Sequence, residues 1–300
     1  MPEPRGAVNA LASAAKRPLF GWMQKDRDMD RPTDEETLRK HLSAHPVEGE
    51  VEAMRKAFEA RLGPQPELAP TEIGGVPART TGEGPLVLWF HGGGYVFGAP
   101  ETHALMAERL AEAGLRVVLP VYPRAPEDRW PAMLDAACGI VDAVEGPLAV
   151  GGDSAGGHLA LNLALARPGR VAALGLIAPN TDRTGKSATR DRSSDAMNDD
   201  AGDLALWRKT AEIADSDPQA SPLLADLSEL PPLHLEAAGD EILLDDSLLL
   251  VRGAGLRGVE TTLHVTPGLF HMFPLWPDAL PQGAAALDRL GAHFARHLAA

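Results

Sequence analysis

The sequence predicts an α/β protein with a mostly parallel sheet of eight strands and helices on both faces. Leu86–Phe90 is a continuous apolar run, which is typical of a strand buried on both faces. From residue 86 onwards the predicted strands alternate with segments of helical periodicity, and this alternation favours a parallel sheet covered by helices. The first two strands are predicted to form an antiparallel pair.

The elements follow from these patterns in chain order. Glu67–Ile73 and Val76–Thr80 flank Gly74-Gly75, which is a hairpin signal. The later predicted strands are Leu86–Phe90, Arg116–Val121, Leu148–Gly151, Val171–Ile177, Leu233–Ala238 and Val259–Val265. The predicted helices that accompany them are Glu101–Ala113, Trp130–Val144, Ala155–Ala166, Leu244–Ala254 and Ala279–Ala299.

Two segments do not fit the alternation. Residues 1–60 are charged and helical in pattern, without strand signals. Residues 182–216 are rich in Asp, Arg, Ser and Gly and carry a short helical piece around Leu204 to Ile213. A long insertion within a compact fold is usually functional or disordered.

Composition narrows the class of protein. The chain has 300 residues, of which 44% are hydrophobic, and a formal charge of -14 without a basic patch, so no nucleic-acid partner is expected. No apolar run approaches the roughly 18 residues of a membrane span, and no secretory signal is recognisable. Cys138 is the single cysteine and is expected to be a small buried side chain. We therefore expect a cytoplasmic protein without disulfides.

The segment Gly152-Asp153-Ser154-Ala155-Gly156 matches the G-x-S-x-G pattern of a nucleophile elbow. A predicted strand precedes it and a predicted helix begins at Ala155, so the serine falls on a tight strand-to-helix turn at the sheet edge. The pattern alone is weak in a glycine-rich chain, since an ordinary turn with an N-cap serine also matches it. The strand and helix context makes Ser154 the predicted nucleophile.

The second motif is His91-Gly92-Gly93-Gly94, directly after the third predicted strand. Glycines here leave backbone N–H groups free to point at a developing oxyanion, and lipases and esterases use such a loop as one side of the oxyanion hole. The amide after the nucleophile forms the other side. We predict that Gly92, Gly93 and Ala155 supply these amides and that His91 orients the loop.

A serine nucleophile on such an elbow needs an acid and a histidine, in that order along the chain. Gly239-Asp240-Glu241 follows a predicted strand, which puts an acid at the carboxyl edge of the sheet, and the loop after the last strand carries His271. We predict His271 as the general base and Asp240 as the acid that orients it. Glu241 is the neighbouring alternative.

Other chemistry-bearing residues are given structural roles. Gly253 to Gly258 matches G-x-G-x-x-G but follows a helix and precedes a strand, the reverse of a dinucleotide site. No cluster of Cys and His has zinc-ligand spacing, so we expect no metal. Asp245 and Asp246 lie inside a predicted helix and are expected to face solvent.

These residues resemble the bacterial hormone-sensitive-lipase-like esterases of the α/β-hydrolase superfamily. The order and strand contexts of the family's motifs are kept between residues 86 and 273. The matching blocks are His91-Gly92-Gly93-Gly94-Tyr95, Tyr122 to Glu127 with Trp130-Pro131-Ala132, Gly152 to Gly157, Ser221-Pro222-Leu223, Gly239-Asp240-Glu241 and His271-Met272-Phe273. The family's Tyr-Arg-Leu-Ala-Pro-Glu is Tyr-Pro-Arg-Ala-Pro-Glu here, which concerns the packing of a supporting loop and not the chemistry.

The resemblance implies one α/β-hydrolase domain over residues 1–300, with a helical cap formed by about residues 1–60 and 182–216. It also implies hydrolysis of short-chain acyl esters through an acyl-enzyme, without a cofactor. A homodimer is an expectation from the resemblance alone, because related esterases are often dimers. Glu127 is expected either to brace the active-site loops or to be an ordinary surface carboxylate.

Three functions remain open at this point. The leading hypothesis is a carboxylesterase that acts on a small-molecule ester. An amidase or peptidase would use the same triad, because the pocket selects the leaving group. A ligand-binding receptor on an inactive scaffold, as in plant gibberellin receptors, is disfavoured because such receptors lack the catalytic histidine, whereas this chain keeps Ser154, Asp240 and His271. The physiological ester is not readable from the sequence.

Overall fold

A computed structural model describes residues 31–299 of the chain, which are built around one sheet with the strand order β1-β2-β4-β3-β5-β6-β7-β8. The strands are β1 Ala69–Ile73, β2 Val76–Thr81, β3 Leu86–Phe90, β4 Arg116–Pro120, β5 Ala149–Asp153, β6 Ala173–Ile177, β7 Leu233–Ala238 and β8 Thr261–Thr266. β2 runs antiparallel to β1 and to β4, whereas all the other neighbours are parallel. The predicted mostly parallel sheet of eight strands is confirmed.

Helices flank the sheet in the order that the sequence pattern predicts. They are α1 Glu35–Ala44, α2 Val51–Leu62, α3 Ala104–Ala111, α4 Ala132–Ala143, α5 Ala155–Ala166, α6 Asp200–Thr210, α7 Leu244–Gly255 and α8 Pro281–Leu298. Most boundaries agree with the prediction to within a few residues. The helix predicted from Trp130 begins at Ala132, with Pro131 as its N-cap residue.

The hydrophobic core lies on both faces of the sheet, because successive side chains of a strand point to opposite faces. In β3, Val87 and Trp89 pack into the layer that contains α3 and α8, whereas Leu88 and Phe90 pack into the layer that contains α4 and α5. All four side chains are fully buried. Burial on both faces explains why this strand reads as a continuous apolar run.

The described part of the N-terminal segment lies outside the sheet. The Asp34 side chain accepts the backbone amide of Thr37 at 2.9 Å and so caps α1. Leu38 and Leu42 of α1 and Phe58 of α2 are buried. Residues 1–30, the first part of the predicted cap, lie outside the described residues.

The insertion between β6 and β7 contains α6 and is held by buried charges. Arg190 donates to Asp203 of α6 and to Asp246 of α7, each at 2.8 Å. Asp246 also accepts the backbone amides of Thr181 and Asp182 at 2.9 Å. Asp246 is fully buried, so the expectation that it faces solvent is wrong. These protein donors replace the water that a charged carboxylate otherwise needs.

Candidate active site

The carboxyl edge of the sheet gathers the predicted site residues. β3 leads into the glycine loop, β5 into Ser154, β7 into the loop of Asp240 and Glu241, and β8 into the loop of His271. Since parallel strands end at the same edge, loops that are distant in the sequence become neighbours there.

Ser154 occupies a strained turn between β5 and α5. Its backbone φ of 52° and ψ of -119° lie in a region that residues other than glycine rarely adopt. A Cβ on Gly152 would collide with the backbone of Gly156, and a Cβ on Gly156 would collide with the carbonyl oxygen of Phe90. The two glycines of the G-x-S-x-G pattern are therefore required sterically, and the structure has the strand-turn-helix that the pattern predicts.

The Ser154 hydroxyl lies within hydrogen-bond distance of His271. Ser154 Oγ is 2.9 Å from His271 Nε2, and His271 Nδ1 is 2.8 Å from Oε2 of Glu241. A carboxylate can only accept the Nδ1 proton, which leaves the Nε2 lone pair for the serine proton. All three side chains are buried. This is the arrangement of nucleophile, base and acid that acyl transfer requires.

The structure contradicts the assignment of the acid to Asp240, because Glu241 is the carboxylate that contacts the imidazole. Asp240 is half-buried; its amide donates to the Leu269 carbonyl at 3.0 Å and its carbonyl accepts the Ser194 hydroxyl at 3.0 Å. Oε1 of Glu241 also accepts the amide of Ala238 at 2.8 Å, which fixes the carboxylate against the end of β7. The turn after β7 thus brings the second of the two acids to the histidine.

The glycine loop offers a different set of amides from the predicted one. The amide of Gly92 donates to Asp153 Oδ2 at 3.0 Å, so it is already engaged. Gly93 and Gly94 line the cavity beside the nucleophile. Within residues 31–299, the amides of Gly93, Gly94 and Ala155 have no hydrogen-bond partner. The prediction for Gly92 is therefore wrong, and Gly94 joins Gly93 and Ala155 in the candidate oxyanion hole.

Asp153, the residue before the nucleophile, connects the elbow to the glycine loop. Besides the Gly92 amide, its carboxylate accepts Trp89 Nε1 at 2.9 Å and contacts His103 Nε2 at 3.1 Å. Burial alone would raise the pKa of Asp153, but His103 and these hydrogen bonds hold that pKa below its ordinary value. A charged carboxylate thus fixes the first amide of the loop. This role of Asp153 is not predictable from the G-x-S-x-G motif, because the motif leaves that position unspecified.

His91 has the structural role that the sequence predicts. Burial lowers the pKa of His91 to about 3, so its imidazole is neutral at physiological pH. The ring stacks on Tyr122 at 4.3 Å between centroids, and the Tyr122 hydroxyl donates to the His91 carbonyl at 2.6 Å. These contacts hold the start of the glycine loop.

Glu127 binds Arg55 of α2, and Arg55 contacts the segment that follows the glycine loop. Its two carboxylate oxygens each accept Arg55 of α2 at 2.7 Å, and Arg55 also donates to the carbonyls of Val96 and Ala125. The hydrogen bond from Arg55 lowers the pKa of Glu127 to about 2. Of the two roles left open for Glu127, these contacts support the bracing role.

A cavity of about 320 Å³ opens onto Ser154 and His271. Many of its lining residues come from residues 46–61 and 197–209, which lie in the two segments predicted to form a cap. Its apolar wall includes Met54, Phe58, Phe97, Leu206 and Met272.

Known proteins are similar to this chain in sequence and in fold. A profile of the α/β hydrolase fold matches residues 87–275. An acetyl-hydrolase from Streptomyces hygroscopicus is 32% identical over 84% of this chain and 92% of that protein. An esterase from Acinetobacter venetianus is 31% identical over 71% of this chain and 75% of that protein. The crystal structure of an esterase from the bacterial hormone-sensitive lipase family matches with a TM-score of 0.79 at 30% identity, over 87% of this chain and 96% of that one.

The sheet, the elbow and the matched profile define an α/β-hydrolase fold protein. Within that fold, the chain belongs to the bacterial hormone-sensitive lipase family, as the motifs of the sequence imply.

Proposed function

We propose that the chain is a serine carboxylesterase that hydrolyses short-chain acyl esters through an acyl-enzyme. The observation that carries the proposal is the hydrogen-bonded series of Ser154, His271 and Glu241 beside a mostly apolar cavity wall. The names of the two relatives, acetyl-hydrolase and esterase, support the same reaction class.

In the acylation step, His271 Nε2 accepts the Ser154 hydroxyl proton while Oγ attacks the ester carbonyl carbon. The carbonyl oxygen becomes negative and is stabilised by the amides of the candidate oxyanion hole. The bond between the carbonyl carbon and the alcohol oxygen then breaks, and His271 returns the proton to the leaving alkoxide. Glu241 stabilises the imidazolium that exists between the two proton transfers.

In the deacylation step, water takes the place of the serine. His271 removes a proton from water, the hydroxide adds to the acyl carbon, and the same amides hold the new oxyanion. The bond to Ser154 Oγ breaks, Oγ recovers its proton from the imidazolium, and the carboxylic acid leaves. The chain's own groups account for every proton in this cycle.

The size of the cavity supports a small acyl group. Ligand pockets commonly span ~300 to 1,000 Å³, so a volume of about 320 Å³ lies at the lower end of that range. An apolar wall suits an alkyl chain. The triad does not distinguish esters from amides, and an amidase is therefore the alternative that substrates must test.

A panel of p-nitrophenyl esters from acetate to dodecanoate, with p-nitroanilides of the same acyl groups, tests the proposal. We expect the largest kcat/KM among acetate, butyrate and hexanoate, and slower cleavage of every matching anilide. Faster cleavage of the anilides would indicate an amidase. Absence of turnover, together with no labelling of Ser154 by a fluorophosphonate, would indicate a ligand-binding protein on this fold.

The pH dependence should report on His271. Burial opposes its charged form, but the hydrogen bond and charge of Glu241, with the charges of Asp195 and Asp153, raise the pKa of His271 above 6.5. The base must be neutral to accept the serine proton, so activity is lost as the pH falls through this raised pKa. We expect the acid limb of kcat/KM for p-nitrophenyl butyrate above pH 6.5, and a limb below pH 6 in stable enzyme would contradict it.

We propose that residues 32–60 and 182–216 act as the cap over this cavity, with residues 1–30 as a further predicted part. The support is that α2 and α6 both contribute cavity-lining residues without contributing a group to the triad. A cap of this kind shapes the acyl pocket and excludes water from the reaction.

Two leucines of α6 test the cap. Leu206 lines the cavity, whereas Leu204 is exposed and is not among the residues that line it. Leu206→Ala should widen the cavity and raise the hexanoate-to-acetate ratio of kcat/KM by about tenfold, since small apolar contacts discriminate by that order. Leu204→Ala, the matched control, should leave the ratio unchanged. Equal ratios in both variants and in the wild type would remove α6 from the acyl pocket.

The remaining expectations concern partners and location. We propose a cytoplasmic enzyme, on the strength of the single buried Cys138, and a homodimer, on the strength of the family. Light scattering after size exclusion measures the oligomeric state.

In the described part of the chain, no helix is long and apolar enough to cross a membrane. In the same residues, no cluster of His, Cys, Asp and Glu is arranged to hold a metal ion.

A further inference from the structure

Asp195 lies in the insertion between β6 and β7, outside the triad, yet its carboxylate contacts both loops that carry the acid and the base. Its Oδ1 accepts the backbone amide of His271 at 3.2 Å, and its Oδ2 accepts the amide of Ile242, the residue after Glu241, at 3.2 Å. Oδ1 also accepts the amide of Met197 at 3.0 Å, which closes a local turn around the carboxylate.

We propose that Asp195 is a positioning residue of the insertion between β6 and β7, which holds Glu241 and His271 in register by binding a backbone amide in each of their loops. The inference rests on the proposed function, because it assumes that Glu241 and His271 act together. The two loops are also joined directly, because the amide of Gly239 donates to the Thr266 carbonyl at 2.8 Å and the amide of Asp240 donates to the Leu269 carbonyl at 3.0 Å. Asp195 adds hydrogen bonds closer to the two side chains that meet, at the amide of His271 itself and at the amide of Ile242, next to Glu241.

Neighbouring residues of the insertion hold the same acid loop. The Ser194 hydroxyl donates to the Asp240 carbonyl at 3.0 Å, and Arg192 donates to the Gly239 carbonyl. Asp195 extends these contacts to the histidine loop. The insertion is itself anchored through the buried network of Arg190, so its position relative to the triad is defined.

The charge of Asp195 also acts on the pKa of His271. A side chain that only held the two loops in place would not affect this pKa, so measuring it distinguishes the two roles. His271 is faced by the carboxylates of Glu241, Asp195 and Asp153, and burial opposes their effect on its pKa. Three cations lie on adjacent elements: Arg192 binds the Gly239 carbonyl, Arg39 of α1 binds the Gly268 carbonyl, and Arg61 of α2 lines the cavity and interacts with the charge of Asp195. Removal of one of the three carboxylates should therefore lower the pKa of His271.

Asp195→Asn keeps the size of the side chain but puts an amide donor against a backbone N–H. We expect kcat for p-nitrophenyl butyrate to fall by about ten- to a hundredfold, because a displacement near 1 Å costs that order. KM should stay within about threefold, since the cavity wall is untouched. The acid limb of kcat/KM should move to lower pH.

Asp191→Asn is the matched control, because it removes the same charge from an exposed side chain of the same insertion. It should match the wild type in kcat and in the position of the acid limb. Asp195→Ala, which removes both acceptor oxygens without adding a donor, should repeat the loss of kcat and the shift of the limb. Each variant is assayed below its own melting transition, so that unfolding does not contribute.

If either Asp195 variant is folded and keeps the wild-type kcat and the wild-type position of the acid limb, the inference about Asp195 is wrong. The proposed function is not affected by that result. A wild-type chain without serine-dependent ester hydrolysis would overturn the proposed function, and this inference with it. Loss of kcat with the shifted limb in both Asp195 variants, against an unchanged Asp191→Asn, supports the inference.

Discussion

Ser154→Ala should lower the turnover of p-nitrophenyl butyrate by about 10⁶, which is the order of loss when a triad serine is removed from a hydrolase. The reason is that His271 Nε2 then has no hydroxyl to deprotonate, and the acyl-enzyme cannot form. Labelling by a fluorophosphonate should disappear with the same substitution. The measurement is the initial rate of purified protein, with mass spectrometry of the intact chain after labelling.

The fold should survive this substitution. Alanine keeps the Cβ of serine, so the backbone strain at φ 52° is the same in both proteins. Ser43→Ala, on the exposed side of α1, is a control that removes a hydroxyl far from the triad in the sequence and should leave the rate unchanged. A rate within tenfold of the wild type in Ser154→Ala, with contaminating esterase excluded, would remove Ser154 from the mechanism.

The parts of this molecule that local patterns determine could be predicted from the sequence. A strand buried on both faces reads as an apolar run, so the predicted β3 agrees with the structure at both ends. The elbow at Ser154 could be recognised because its steric requirement spans only the residues from Gly152 to Gly156. His271 could be recognised because its loop follows the last strand of the sheet.

The errors arise where a tertiary contact chooses between neighbouring residues. Asp240 and Glu241 are both acidic and both follow β7, and only the packing of the turn decides which one meets the imidazole. The sequence does contain a signal for Glu241. It lies directly before the apolar run Ile242 to Leu244, which is buried, whereas Asp240 lies one residue further from that run. In the glycine loop, nothing in the motif shows that Asp153 engages the amide of Gly92.

The role of the insertion was the hardest to predict, because it depends on contacts across the whole chain. Residues 182–216 read as polar and irregular, which is typical of an exposed loop. In the structure, Arg190 and Asp246 form a buried ion pair, and Asp195 contacts the loops that carry Glu241 and His271. Charged residues in an apolar environment must be paired, so a polar segment can be an ordered part of a site.

Substitutions at two adjacent residues, Glu241 and Asp240, test which of them is the acid of the triad. Glu241→Gln should lower kcat by about 10⁴, which is the loss seen when the acid of a triad becomes an amide and the histidine takes the wrong tautomer. Oε1 of the glutamine can keep the Ala238 amide as its donor. Its NH₂ group then faces His271 Nδ1, and a donor there forces the proton onto Nε2.

With the proton on Nε2, His271 has no lone pair for the Ser154 hydroxyl, so both the turnover of p-nitrophenyl butyrate and the rate of fluorophosphonate labelling should fall. Asp240→Asn removes the same charge from the adjacent, half-buried residue and is the matched control. It should change kcat by less than about tenfold, because the contacts of Asp240 described above are made by its backbone amide and carbonyl. If Asp240→Asn were instead the more damaging of the two in folded protein, the carboxylate seen beside His271 would not be the one that supports catalysis.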